Sequence, residues 1–438
     1  MGIKRFLVSA CSKLHRESHD DILTKTHIPL DHFPIDKSRR RFLMQSAVAA
    51  GLTSPMLTAC SNIVLPEPVA SWIRGNKNNL AKLGPLQAAD ENGLRLPSGF
   101  TSRIVARSNE IPLKDANYTW HWAPDGAAVF AKEGGGWIYV SNSEMSGGAG
   151  GVGALEFGVN GDLRNAYSIL KDTSRNCGGG KTPWGTWLSC EEMSDGSVWE
   201  CDPLGVDDAR QLKALGTFSH ESAAFDPESY HLYLSEDQQD GRLYRFIPAS
   251  NRKKGKVDLN KGKLYVAQVL NKNINNVVWH EVADPNSKQQ PTRYQVKQST
   301  IFNGGEGLAY LGGSIYLGTK GDDRLWQYDI AQNRMSVFYD AKTHPNPILT
   351  GIDTLLAVDT GELVVTEDGG DMQLVVVTPM AELMPLVQIV GQDHSEMTGA
   401  AFNQHGNKLY FSSQRGKGGT SADGVTYEIS GAFFSSET

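Results

Sequence analysis

The stretch Leu363-Val364-Val365-Thr366-Glu367-Asp368 combines an apolar β-type run with an acidic end, and similar stretches recur along the chain. The apolar runs are Trp137–Val140, Trp187–Leu188, Leu232–Leu234, Ile315–Leu317, Leu363–Val365 and Leu409–Phe411. Their last residues are separated by 48, 46, 83, 48 and 46 positions. A fixed period of about 40–50 residues in a glycine-rich chain of short strands is typical of a β-propeller, in which each repeat is one antiparallel blade. The sequence therefore predicts an all-β protein, a β-propeller of about six four-stranded blades, or seven if the long interval contains a masked unit.

Polar residues follow every run, and acidic residues precede several of them. The following residues are Ser143-Glu144, Cys190-Glu191-Glu192, Glu236-Asp237, Lys320-Gly321-Asp322-Asp323, Glu367-Asp368 and Gln414-Arg415, and the preceding acids are Glu221, Glu306, Asp353 and Glu396. Because the first strand of a hairpin begins at the end where the second strand finishes, both sets are expected on one face of the propeller. So many carboxylates together would raise each other's pKa and destabilise the fold unless cations neutralise them. The pattern predicts a metal site.

The composition of the chain indicates which kinds of molecule the protein is not expected to bind. The chain has 438 residues, of which 39% are hydrophobic and 21% charged, with 46 glycines, as in an ordinary soluble and turn-rich protein. No uninterrupted apolar stretch reaches the roughly 18 residues that a transmembrane helix needs. The net charge is −7, and because basic residues outnumber acidic ones before residue 60, the rest of the chain is more acidic still. Nucleic acid is therefore not expected as a partner. The protein is expected to be a monomer.

The N-terminal segment has the features of an export signal. Ser38-Arg39-Arg40-Arg41-Phe42-Leu43 matches the twin-arginine pattern, and an alanine-rich apolar segment follows it. Leu57-Thr58-Ala59-Cys60 resembles the lipobox of bacterial lipoproteins, with Cys60 as the lipidated residue. We therefore expect residues 1–59 to be a twin-arginine lipoprotein signal peptide that engages the twin-arginine export machinery, residues 60–90 a tether, and residues 91–438 a catalytic β-propeller. The protein would be periplasmic or anchored to the outer membrane, in contact with a membrane only through its lipid.

Three cysteines remain in the predicted propeller. Cys190 and Cys201 either form a disulfide or are small buried residues. The odd number leaves a thiol with another role, and Cys177 lies in a glycine-rich loop just before a strand that ends in Glu191-Glu192. A thiolate beside carboxylates suits a transition metal such as iron better than calcium.

Two sequence patterns resemble phosphate-binding loops but lack features that such loops require. Gly148-Ala149-Gly150-Gly151-Val152-Gly153 matches the dinucleotide-binding pattern but is followed by strand and turn residues instead of a helix. Gly180-Lys181-Thr182 lacks the first glycine of a phosphate-binding loop. No nucleotide cofactor is expected.

A longer segment supports a family resemblance. Asn176-Cys177-Gly178-Gly179-Gly180-Lys181-Thr182-Pro183-Trp184-Gly185-Thr186-Trp187-Leu188-Ser189-Cys190-Glu191-Glu192 resembles the signature of PhoX, a family of twin-arginine-exported, metal-dependent propeller alkaline phosphatases. Further blocks that resemble the family are Phe218–Glu221, Phe302–Leu308, Thr366–Gly370 and Glu396–Gly399, and the likeness runs from about residue 95 to the C-terminus. Two features depart from it. Ser143 stands where a histidine is expected, and the segment Phe411–Gly416 is like that of shorter relatives.

The resemblance implies phosphomonoester hydrolysis by a cluster of iron and calcium ions. It implies that Cys177 is an iron ligand and that iron or calcium is bound by Glu191, Glu192, Glu221, Glu306, Glu367 and Asp368. Clustered cations would neutralise the phosphate oxygens and activate a nucleophile. The expected partner is a small-molecule phosphate ester.

Four further residues are candidates for catalysis. Lys320, Arg324 and Arg415 could hold phosphate oxygens, although Arg324 could instead pair with its acidic neighbours. His220 is either a proton donor to the leaving group or a hydrogen-bonded strand residue.

Two other functions fit the same sequence. One is a non-catalytic propeller lipoprotein in which calcium stabilises the fold and the surface binds protein or glycan. The other is a different propeller hydrolase, such as a lactonase-like enzyme, with a calcium-only site that does not involve Cys177.

Overall fold

The computed structural model describes residues 80–249, 255–270 and 275–434. These residues belong to one of two units into which the chain divides, Ala70–Thr438. The other unit, Met1–Val69, holds the predicted twin-arginine motif and Cys60 and lies outside the described residues. Export and lipidation therefore stay predictions.

Short β-strands dominate the described residues. In chain order they are β1 (Leu94–Arg95), β2 (Thr101–Arg107), β3 (Pro124–Ala131), β4 (Trp137–Ser143), β5 (Gly150–Phe157), β6 (Leu163–Thr173), β7 (Asn176–Lys181), β8 (Trp187–Glu191), β9 (Val198–Cys201), β10 (Arg210–Gln211), β11 (His220–Phe225), β12 (Leu232–Glu236), β13 (Leu243–Pro248), β14 (Gly262–Leu270), β15 (Asn276–Glu281), β16 (Gly305–Leu311), β17 (Ser314–Thr319), β18 (Arg324–Asp329), β19 (Arg334–Asp340), β20 (Ile352–Ala357), β21 (Leu363–Glu367), β22 (Gln373–Val377), β23 (Leu383–Ile389), β24 (Met397–Phe402), β25 (Lys408–Ser413) and β26 (Val425–Ser430). Single 3₁₀ turns occur at Leu80–Lys82, Lys213–Leu215, Thr292–Tyr294, Lys320–Asp322 and Ser421–Asp423. Over the described ranges there is no α-helix, and hence no helix long and apolar enough to cross a membrane.

The strands form six antiparallel blades in sequence order. Blades 1 to 5 are β3–β6, β7–β10, β11–β14, β16–β19 and β20–β23, and blade 6 is β24–β26 completed by β2. β1 adds to the outer edge of blade 5. β15 extends blade 3 and pairs with β19 of blade 4 at Asn276 and Arg334. The predicted β-propeller of six blades is confirmed.

The long interval in the repeat has a different explanation from the predicted masked unit. It contains the extended strand β14, the additional strand β15 and the connection that returns the chain to β16. Within the described part of this interval no seventh sheet is present. An insertion at the outer edge of one blade lengthens the spacing without adding a repeat, so that expectation was wrong.

The six apolar runs are the second strands of the six blades. These strands, from β4 to β25, are buried along almost their whole length. Successive side chains of a strand point to opposite faces, so each second strand packs against both neighbouring blades. In β21, Leu363 and Val365 join the apolar cluster shared with blade 4, whereas Val364 joins the one shared with blade 6. Burial on both faces explains why these runs are continuously apolar.

Six apolar clusters show that the blades form a closed ring. Each cluster lies between two neighbouring blades, and the series ends with one that joins blade 6 to blade 1. Leu80 also packs into the cluster between blades 5 and 6, so the described end of the predicted tether contacts the propeller. Cys190 and Cys201 are free thiols on opposite faces of blade 2, in two different clusters.

Candidate metal centre

The second residue of the first strand occupies an equivalent position in every blade. The first strands of all six blades line one central cavity of about 400 Å³, so they are the innermost strands. The six equivalent positions, which we call the inner ring, are Asp125, Cys177, Glu221, Glu306, Asp353 and Thr398. All but the half-buried Cys177 are buried. The inner ring therefore brings four carboxylates and a thiol to one end of the cavity.

Local backbone irregularity positions the inner ring. In every blade the register between the first and second strands shifts around this position. A bulge of this kind bends the strand and re-aims a side chain. Gly178, next to Cys177, also permits a close approach, because a Cβ atom there would lie 2.3 Å from the carbonyl oxygen of Glu221. Neighbouring first strands can thus converge on the axis.

A second set of polar residues follows the second strands at the same end of the propeller. We call this set the rim, and it consists of Glu144, Glu192, Asp237, Lys320, Asp368 and Gln414. The first strand starts where the second strand ends, as the pair His220 and Glu236 shows in blade 3. The rim therefore lies beside the inner ring.

Three groups of side chains are close enough to bind a common ion. The groups are Asp125 with Glu144 and Cys177, Cys177 with Glu192 and Glu221, and Glu221 with Glu306 and Asp353. Within each group the potential ligand atoms lie within 4.8 Å of one another. Cys177 and Glu221 each belong to two groups, so the three sites form one continuous centre across blades 1 to 5.

The centre is strongly electronegative. Burial, together with the neighbouring carboxylates, raises the pKa of Asp125 and of Glu221 well above the usual range. Burial also raises the pKa of the Cys177 thiol, with Asp125 and Glu221 adding to the effect. The pKa of Asp353 rises to about 6 and that of Glu192 to about 8, in both cases mainly through burial. Such shifts mean that the anionic forms are unfavourable without a compensating cation.

The donor set fits metal ions. Among the described residues, the buried atoms Asp125 Oδ1 and Glu221 Oε1 have no hydrogen-bond partner. Unsatisfied carboxylate oxygens that face other carboxylates are the ligands that calcium prefers, and a thiolate in the same centre suits a transition metal. The residues present can therefore hold hard cations on the carboxylates and a softer one beside Cys177.

The chain matches the family model for alkaline phosphatase PhoX over residues 138–202 and 193–317. The matched residues include Cys177, Glu192, Glu221 and Glu306 of the centre. The chain is similar to the PhoX family over these residues. This similarity supports a phosphatase-like function.

Solved structures share the fold of this protein. Pseudomonas fluorescens PhoX in complex with vanadate, a transition state analogue, is 16% identical with a TM-score of 0.63, covering 79% of this chain and 97% of that chain. A gluconolactonase from Xanthomonas campestris is 13% identical with a TM-score of 0.43, covering 79% of this chain and 97% of the other. No curated protein matches the chain. The first likeness supports the propeller architecture.

Five of the seven predicted metal ligands lie in the inner ring or the rim. Cys177, Glu221 and Glu306 are in the inner ring, and Glu192 and Asp368 are in the rim. Asp368 accepts a hydrogen bond from Lys320 at 3.1 Å.

The other two predicted ligands, Glu191 and Glu367, are the last residues of second strands and brace the turns beside them. Glu191 accepts hydrogen bonds from the backbone N–H groups of Ser174 and Ser197, both at 3.2 Å. Glu367 accepts from the N–H groups of Thr350 at 3.1 Å and Gln373 at 3.0 Å. Because successive side chains alternate, one member of each acidic doublet faces the centre and the other faces the hairpin.

Some of the predicted catalytic residues border the centre, and others do not. Lys320 lies 3.1 Å from Asp368 and 3.4 Å from Glu306, and Arg415 donates a hydrogen bond to Glu396 at 3.0 Å, so both border the centre. Arg324 is held by Asp322 and Asp340, both at 2.8 Å.

His220 is fully buried and stacks on Phe218 with a ring-centroid distance of 3.6 Å. Its Nε2 contacts the carbonyl oxygen of Gly216 at 3.1 Å. Burial lowers the pKa of His220 to about 3. A neutral imidazole with these contacts is placed like a hydrogen-bonded strand residue.

Asp125, Glu144 and Asp353 belong to the potential ligand groups, although we did not predict them as ligands. For the inner-ring residues Asp125 and Asp353 the sequence contained a signal. In all six blades the inner-ring residue is followed by glycine, serine or threonine: Asp125-Gly126, Cys177-Gly178, Glu221-Ser222, Glu306-Gly307, Asp353-Thr354 and Thr398-Gly399. A polar residue followed by a small one, shortly before each apolar run, would have identified Asp125 as a member of the ring.

Proposed function

We propose that this protein is a metal-dependent phosphomonoesterase of the PhoX type that hydrolyses small phosphate esters outside the cytoplasm. The observation that carries the proposal is the convergence of Asp125, Cys177, Glu221, Glu306 and Asp353, with buried oxygens that have no hydrogen-bond partner among the described residues. Buried anions without partners are costly, so this arrangement is explained by bound cations.

The inner ring would bind the metal ions, with iron at Cys177 and calcium on the carboxylates. Bound cations would supply neutralisation of the phosphate charge and activation of water as a nucleophile. Residues of the chain hold that centre in place: Asn142 donates hydrogen bonds to the carbonyl oxygens of Cys177 and Gly178 at 2.6 and 2.7 Å. Thr398 donates to the carbonyl oxygen of Pro124 at 2.8 Å. The bonds from Asn142 tie the second strand of blade 1 to the first strand of blade 2, and the bond from Thr398 ties together the first strands of blades 6 and 1.

Lys320 and Arg415 would orient the phosphate ester. Both cations border the centre and both are about one-third exposed, so an entering anion could reach them. Burial alone would lower the pKa of Lys320, but Glu306, Asp353 and Asp368 raise it above its usual value, which keeps the ammonium charged. The proposal leaves out Arg324 and His220, since the first is paired with two carboxylates and the second is fully buried.

Export through the twin-arginine route and anchoring at Cys60 are part of the proposal. Both rest on the sequence of residues 38–60. That route carries folded proteins, which suits a centre assembled from five blades before export.

The test is elemental analysis of protein purified after export, together with hydrolysis of p-nitrophenyl phosphate before and after treatment with a chelator. We expect iron and calcium in the purified protein, turnover that the chelator abolishes, and recovery when the metals are returned. Metal-dependent melting without any turnover would instead identify a structural calcium-binding propeller. A calcium-only protein whose Cys177→Ala variant keeps its metal would remove the iron site.

A further inference from the structure

Nitrogen atoms of the chain bridge several carboxylates around the centre. Gln414 Nε2 donates to Asp125 Oδ2 at 2.7 Å and to Glu144 Oε2 at 3.0 Å. Lys320 Nζ lies between Glu306 and Asp368. These bridged oxygens contrast with Asp125 Oδ1 and Glu221 Oε1, which have no such donor among the described residues. The pattern separates oxygens that the chain itself satisfies from oxygens that are open to an ion.

Arg175 is the most distinctive of these bridges. Its Nη2 atom contacts Glu144 Oε1 at 3.1 Å and also contacts Glu192 Oε2. One nitrogen atom thus links rim carboxylates of two blades. Since each of the two oxygens lies within 3.1 Å of this nitrogen, the separation between the oxygens is less than twice that distance. Both carboxylates belong to potential ligand groups that include Cys177. Arg175 therefore places a positive charge between two carboxylates at the edge of the centre.

The backbone holds Arg175 at this position. Its φ of 50° is in the left-handed region, which is uncommon for a residue with a side chain. Its N–H donates to the carbonyl oxygen of Met145 at 2.8 Å, and its carbonyl oxygen accepts from the N–H of Glu192 at 2.8 Å. These bonds connect Arg175 to the turns that carry its two carboxylate partners. The backbone of Arg175 is therefore held beside the rim.

We propose that Arg175 is a resident cation that replaces one divalent ion between Glu144 and Glu192. The inference rests on the proposed metal centre and goes beyond it, because it fixes how many ions this chain can bind. A guanidinium stays protonated at all accessible pH values, so this charge is permanent. Removing it leaves two carboxylates facing each other at a separation that a calcium ion, with its oxygen ligands at about 2.3–2.6 Å, can bridge with small side-chain movements.

The test is a calcium titration by calorimetry of the chelator-treated full-length protein, combined with elemental analysis of the metal-loaded form. We expect Arg175→Gln to bind one more equivalent of divalent cation than the wild type. Arg175→Lys keeps a positive charge and should keep the wild-type number. The matched control is Arg210→Gln, because Arg210 lies in blade 2, is similarly exposed and is paired with the buried Glu200.

The outcomes are distinguishable. An unchanged number of ions in Arg175→Gln overturns the inference even if the wild type binds several ions, and a simultaneous rise in KM for the ester would show that Arg175 contacts substrate instead. An additional ion in Arg175→Lys would also contradict it. If Arg175→Gln does not fold, the inference depends on the double variant Arg175→Gln with Glu144→Gln, which removes one partner and must bind no additional ion. Failure of every protein to bind calcium or iron would refute the metal centre itself.

Discussion

Adjacent residues of the same type have different environments at this centre. Glu192 lies in a potential ligand group with Cys177 and Glu221, whereas Glu191 accepts two backbone N–H groups at the turn after its strand. The difference follows from the alternation of side chains where β8 ends. A doublet of acids in the sequence therefore divides into one potential metal ligand and one residue that braces a turn.

Substituting the two residues separately tests this division. We expect Glu192→Gln to lower divalent-cation affinity by at least about tenfold, because it removes an anionic ligand. Glu191→Gln should leave cation binding unchanged and lower the free energy of unfolding by about 1–2 kcal/mol, because it weakens two charge-assisted hydrogen bonds. Calcium titration and denaturant unfolding measure the two effects. Equal losses of affinity in both variants would contradict the assignment.

Cys177 provides the second test at the residue scale. Cys177→Ala should lose iron and reduce turnover by more than about a hundredfold while the far-UV circular dichroism stays unchanged. Cys190→Ala is the control, since Cys190 is fully buried in the apolar cluster between blades 2 and 3. That variant should keep its iron and its turnover, and full activity in Cys177→Ala would refute the iron-ligand role.

At the scale of elements, strand β2 closes the ring. It pairs with β26 from Thr101 and Ser430 to Arg107 and Val425, so residues far apart in sequence complete one blade. The buried Glu428 of β26 accepts hydrogen bonds from Arg103, Lys408 and Tyr410. Burial alone would raise the pKa of Glu428, but these partners hold it below its usual value. The charge network thus joins the two ends of the propeller.

We expect Glu428→Gln to lower the free energy of unfolding by about 2–4 kcal/mol near pH 7, because it leaves buried donors without their anion. A depressed carboxyl pKa gives stability that is present above the unfolded pKa of about 4.3 and is lost as the pH falls through the folded pKa. The difference between variant and wild type should therefore shrink below pH 4. Glu281→Gln, which removes the exposed partner of Lys263, should change stability by less than about 0.5 kcal/mol. Denaturant unfolding at a series of pH values measures both variants.

At the scale of the whole molecule, six blades concentrate charge that no single blade would carry. Each contributes one inner-ring and one rim residue, and only blade 6 contributes neither an acid nor a thiol at these positions. The centre is therefore asymmetric and is built by blades 1 to 5. In the metal-free protein, the repulsion within the centre arises when the ring closes, because the carboxylates lie on different blades.

The metal-free protein should become more stable on acidification. The pKa of Asp353 is raised to about 6 and that of Glu192 to about 8, so the folded state binds protons more tightly than the unfolded state. The stabilising effect of these protons is complete below the unfolded pKa values near 4 and is lost as the pH rises through about 6 to 8. We expect the melting temperature of chelator-treated protein to rise between pH 8 and pH 5, measured by circular dichroism. Metal-loaded protein should show the opposite trend, because protons compete with the ions, and parallel trends in both forms would contradict the coupling.

The sequence by itself determined the all-β class, the repeat, the second strand of every blade and the end of the propeller where the acids gather. These features are local: continuous apolar runs report burial on two faces, and polar residues after them report where strands end. The sequence also contained Cys177, Glu221 and Glu306 in contexts that made them candidates.

Only the tertiary structure decided which acids meet. The selection of Glu192 over Glu191, the inclusion of Asp125 and Asp353, the pairing of Arg324 away from the centre, and the closure of blade 6 by β2 all depend on register between strands and on the angle between blades. A shift of one residue reverses the face on which a side chain lies. Local patterns do not encode that register, because it is fixed by contacts between residues that are distant in sequence and brought together when the ring closes.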